Sequence, residues 1–179
     1  MNIPSSCVAV YPASPINTDN ISIIVKKLLS LDYPASRLSV IGKGSLMEDH
    51  TIGIYKQPDQ IRYKGKQDQF WIDLWGLLAG EAFFLIPEFG SLAVAGSLSS
   101  IIMSENNNLN YSKELNVLGK ALHDVGIPDG SINHYESVLK SGQLMLIAHG
   151  NTQEIELAGR ILELSKNIKD VSLHFVNSS

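Results

Sequence analysis

Apolar residues in this chain come in short blocks whose period changes from one block to the next. Cys7-Val8-Ala9-Val10-Tyr11 is β-rich and stopped by Pro12, which predicts a strand. Pro15-Ile16-Asn17-Thr18-Asp19 carries helix-start chemistry. Ile21, Ile24, Val25, Leu28 and Leu31 then recur at helical spacing, with Lys26 and Lys27 off that face. Asp32-Tyr33-Pro34 ends the helix, and Leu38-Ser39-Val40-Ile41 predicts a second strand closed by Gly42 and Gly44. The same grammar returns near the other end. Leu144 to Ala148 is a continuous apolar strand, and Asn151-Thr152-Gln153-Glu154 is a capping box. Ile155, Ala158, Ile161 and Leu162 make one helix face, and Val171, Leu173 and Phe175 alternate with Ser172 and His174 as a half-buried strand.

The outer elements thus read β-α-β, a long middle, then β-α-β. Two such halves predict an α+β fold: a ferredoxin-like βαββαβ antiparallel sheet with both helices on one side. Neither half buries its own face alone, so residues 1–179 are expected to form a single domain. Residues 1–44 plus 142–179 would be the core. Residues 45–141 would be a long, mostly helical insertion between strands 2 and 3.

Within the insertion, Thr51 to Tyr55 predicts an extra strand and Gln57 to Gln69 a polar, basic-leaning segment. Leu115, Leu118, Leu122 and Val125 mark an amphipathic helix ended by Gly126 and Pro128, and Ser131 to Ser141 a further helix capped by Gly142. Residues 70–103 stand apart. Between Leu74 and Met103 the only charges are Glu81 and Glu88, and Pro87-Glu88-Phe89-Gly90 reads as a break. Two apolar helices folded into a hairpin are the expectation. Small residues recur at helix-packing spacing, first Gly76 and Gly80, then Ser91, Ala95 and Ser99. The arms, 70–86 and 89–103, fall short of the about 20 apolar residues that a spanning helix needs, and they carry Asp73, Glu81 and several serines. Burial in an oligomer or in the chain's own core is therefore favoured over insertion in a membrane.

Composition narrows the function classes. The 179 residues carry 14 Lys+Arg against 18 Asp+Glu, a net charge of -4, which argues against a nucleic-acid partner. Cys7 is the single cysteine, so neither an internal disulfide framework nor a cysteine zinc cluster is expected. The first apolar run is too short for a secretory signal and no Lys or Arg precedes it, which points to the cytoplasm.

Several segments resemble a bacterial family of general-stress and low-temperature-induced proteins of unknown function. These are Trp75-Gly76-Leu77-Leu78-Ala79-Gly80, Phe83 to Gly90, Val94-Ala95-Gly96, Gly126-Ile127-Pro128, Tyr135-Glu136 and Leu146-Ile147-Ala148-His149-Gly150. Glu88 and Ser97 stand where the family pattern has glycine and proline, making this hairpin more polar. The resemblance brings no activity, substrate or cofactor.

Candidate chemistry is sparse. Gly42-Lys43-Gly44-Ser45 lacks full phosphate-loop spacing, and no nucleophile elbow is present. His50 beside Glu48 and Asp49, and the basic Arg62-Tyr63-Lys64-Gly65-Lys66, read more simply as solvated loops. His149 ends a central strand, and Tyr135 and Glu136 lie one helix upstream; the three form a candidate cleft, although a histidine capping a strand end is the simpler reading. No catalytic, cofactor-binding or metal-binding residue is assigned. The leading expectation is a non-enzymatic, stress-associated protein that self-associates as a homo-oligomer through the hairpin (Trp75, Gly76, Gly80, Phe84, Pro87, Gly90, Ala95 and Gly96). The open sheet face carrying Ser172 and His174 offers a second dimerisation surface. The alternatives are a peripheral membrane protein whose hairpin inserts, and a small-ligand sensor.

Overall fold

The computed structural model describes residues 7–13, 18–43, 53–55, 67–78, 81–86, 90–101, 117–164 and 172–174. The strands are β1 (Cys7–Ala13), β2 (Leu38–Lys43), β3 (Gly53–Tyr55), β4 (Glu81–Ile86), β5 (Gly90–Gly96), β6 (Leu144–Gly150) and β7 (Ser172–His174). They form one seven-stranded sheet in the order β3-β4-β5-β2-β6-β1-β7, and every neighbouring pair is antiparallel. The helices are α1 (Thr18–Ser30), α2 (Gln67–Leu77), α3 (Val117–Val125), α4 (Asp129–Lys140) and α5 (Thr152–Leu164), with a 3-10 turn at Ala35–Arg37 and a helical turn at 97–101. The class is α+β.

The α1 pattern holds as far as Leu28: Ile21, Ile24, Val25 and Leu28 are buried, while Ile23, Lys26 and Lys27 are exposed, and Leu31, expected on the same face, lies past the helix end and is exposed. The helix ends in a Schellman turn. The Asp32 N–H donates to the Leu29 carbonyl at 3.1 Å and the Tyr33 N–H to the Leu28 carbonyl at 3.0 Å. Asp32 takes the left-handed position, φ 66°, that such a turn requires. The turn drives the Tyr33 ring into the core beside Leu28.

Helices cover both faces of the sheet. On one face α1, α2 and α5 pack over Leu38, Val40, Ala93, Ala95, Leu144, Leu146 and Ala148. On the other, α3 and α4 pack over Ile41, Leu92, Val94, Met145 and Ile147. Alternate residues of β6 serve opposite cores, which explains its unbroken apolar run. The expectation of an open sheet face is thereby corrected.

The helical hairpin at 70–103 is also corrected. Helix α2 stops at Leu77, and the apolar run beyond it forms the antiparallel pair β4 and β5, in register from Glu81↔Ala95 to Ile86↔Gly90. Length and hydrophobicity do not separate a buried helix from a buried strand, and Phe83-Phe84-Leu85-Ile86 has the aromatic and β-branched content that favours the strand. The described residues between β2 and β6 are mostly helical, as expected, but the stretch is not helical throughout. It adds β3, β4 and β5 to the sheet, joined through β5 to β2 with Ile41 opposite Val94.

The small-residue spacings lose their meaning with the helix. Gly76 is exposed, with open space where a Cβ would lie. Ala95 is fully buried in a strand, and Ser99 donates from Oγ to the Gly96 carbonyl at 2.7 Å. Phe84 sits opposite Leu92 on one side and Ile54 on the other, and Gly90 opens β5. Trp75 is half-buried and donates its indole N–H to the Val94 carbonyl at 3.2 Å. Gly80, Pro87, Glu88, His50 and the Arg62–Lys66 cluster lie outside the described residues. Among the described residues no helix is long and apolar enough to cross a membrane.

Candidate functional site

Strand register gathers the candidate side chains at one end of the sheet. His149 of β6 is opposite Val8 of β1, and Val8 is opposite His174 of β7. Directly paired residues share a face, so both histidines lie on the face covered by α3 and α4, following Met145 and Ile147. Tyr135 of α4 is buried, and its hydroxyl lies 2.7 Å from His174 Nε2 with the rings edge to face at 5.8 Å. Burial raises the Tyr135 pKa, opposed by a hydrogen bond with the Ser172 side chain, and burial lowers that of His174. Both groups are therefore neutral near pH 7, and one hydrogen bond joins the phenol oxygen and the imidazole Nε2.

At the end of β6 a second polar group forms around the backbone. The Tyr33 hydroxyl donates to the His149 carbonyl at 2.8 Å. Arg37 pairs with Glu154. Glu154 also closes the capping box at the start of α5: its Oε1 accepts the Asn151 N–H at 3.0 Å, and its own N–H donates to Asn151 Oδ1 at 2.8 Å. The ion pair lies against Gly150, where a Cβ would sit 2.9 Å from Glu154 Oε1 and 3.2 Å from Arg37 Nη1. A side chain at this position would push the Glu154 carboxylate and the Arg37 guanidinium aside. Burial pushes the Tyr33 hydroxyl well above its ordinary value, with Glu154 adding to the rise and Arg37 opposing it.

His149 stands between the two groups. Burial first, then Arg37, holds its pKa below the ordinary value, while Glu154 acts the other way. Its Nδ1 is buried and, among the described residues, has no hydrogen-bond partner. Below about pH 6.5 the unfolded chain takes up protons at 149 and 174 that the folded chain resists. Stability is therefore expected to fall as pH drops through that value, and to level off below the folded pKa values. Urea unfolding at pH 7.5 and 5.5 checks this. His149→Phe should show a smaller loss between the two; an equal loss in both proteins would refute it.

Glu136 goes elsewhere. It follows Tyr135 in α4, so its side chain turns about 100° around the helix. It lines an open groove of about 430 Å³ between α3 and α4, together with Lys120, His123, Asp129 and Asn133. His123 Nδ1 lies 3.1 Å from Asp129 Oδ1 across the turn joining the helices. Among the described residues no hydrogen bond links any two of Tyr135, Glu136 and His149.

Sequence reading missed Tyr33, Arg37 and the contact between Tyr135 and His174. The capping box was the one signal that marked Glu154 beforehand. Among the described residues no three His, Cys, Asp or Glu side chains are placed to hold a metal ion. A scan against protein-family models finds no match to this chain, and searches of curated proteins and of solved structures find no significant likeness.

Proposed function

We propose that this chain is a non-catalytic, stress-associated domain that binds a small ligand at the C-terminal end of β6, with His149 as the recognition residue. One observation carries the reading. Tyr33, Arg37, Asn151, Glu154, Tyr135 and His174 all have partners here, and His149 Nδ1, in their midst and buried, has none among the described residues. Buried hydrogen-bonding atoms are rarely left unpaired, because each costs roughly 1–3 kcal/mol. A ligand group that pairs with the neutral imidazole recovers that cost.

Binding is favoured over catalysis because the tyrosine–histidine pair is closed upon itself, with both members neutral. The four strands β7-β1-β6-β2, with α1 and α5 packed on one face, are read as the ferredoxin-like unit, and β3 to β5 as its extension. Membership of the general-stress family and a cytoplasmic setting remain part of the proposal, and they make metabolites the class to screen. Self-association or bilayer insertion through residues 70–103 would need an apolar face there. Phe70, Trp71, Leu74 and Leu92 to Ala95 are instead spent in the chain's own core.

Thermal shift against a metabolite panel tests the reading. A ligand at 100 times its Kd adds about 2.7 kcal/mol, roughly 5–10 °C for a chain of this size. His149→Phe should abolish the shift. No shift with any metabolite, or a shift that survives in His149→Phe, would overturn the proposal.

A further inference from the structure

We draw no further inference here: the strongest candidate, the clamp at the sheet edge in which the Tyr135 hydroxyl of α4 holds Ser172 and His174 of β7, suggests a pH-released strand, but a protonated His174 would still donate to the phenol oxygen and only the lowered pKa of its imidazole argues for release.

Discussion

Replacing Gly96 with alanine is expected to remove roughly 2–5 kcal/mol of stability, combining a left-handed backbone penalty of about 1–2 with an overpacking cost of about 1–3. Gly96 ends β5 with φ +100°, and it is paired with Ser39 of β2. An added Cβ would lie 2.1 Å from the Leu38 carbonyl oxygen and 2.8 Å from Ser39 Cα. Both are backbone atoms, so no rotamer change relieves the clash. The damage would spread, because Ser39 Oγ accepts the buried Leu98 N–H at 2.9 Å and so caps the helical turn that follows. The same substitution at exposed Gly76, inside α2 with open space around it, should instead add up to about 1 kcal/mol. Urea denaturation of the two variants measures the contrast. A loss below about 1 kcal/mol at Gly96, or a larger loss at Gly76 than at Gly96, would contradict the close pairing of β5 with β2 at Gly96.

Those two glycines show where the sequence was legible and where it was not. The outer elements were readable because each carries a local signal: the α1 face at Ile21, Ile24, Val25 and Leu28, the run from Leu144 to Ala148, and the capping box at Asn151 and Glu154. Such signals depend on residues within a turn or two of one another. The apolar stretch from Phe83 to Ala95 carries no period, since β5 is buried on both faces and offers no polar side to alternate with. Spacing alone made Ser91, Ala95 and Ser99 look like one helix face. The candidate site failed to appear whole for a different reason. Tyr33 and His149 are 116 residues apart, Arg37 and Glu154 are 117 apart, and Tyr135 and His174 are 39 apart. Only sheet register brings them together, and β1 must lie between β6 and β7 for His149 and His174 to share a face. Glu136 was legible as a residue of interest but not as a groove carboxylate, because its burial depends on how α3 packs against α4.

Replacing Trp71 with alanine should cost about 3–5 kcal/mol, the usual range for deleting a buried aromatic side chain. Trp71 is fully buried in α2 beside Phe70 and Leu74, and Leu78, just past the helix end, joins the same core. Phe70 meets it edge to face at 5.2 Å, and the Trp75 ring lies 6.3 Å away. Trp75 ties the helix to β5 through the Val94 carbonyl. A domain has only about 5–15 kcal/mol of net stability, so this single deletion should lower the melting temperature by roughly 6–20 °C. The measurement also decides between uses of the apolar segment. If residues 70–78 were held in reserve for a partner copy or a bilayer, Trp71→Ala would change the mass by light scattering or the binding to vesicles, and leave the melting temperature of the free chain nearly intact. If the segment is the chain's own core, the melting temperature falls while the mass and the vesicle binding stay at wild-type values. The second result is expected, because α2 places Phe70, Trp71 and Leu74 in the core that α1 and α5 complete, over Ala93 and Ala95 of β5. That result would leave the polar end of β6, where the buried His149 Nδ1 stands, as the first place to look for a function.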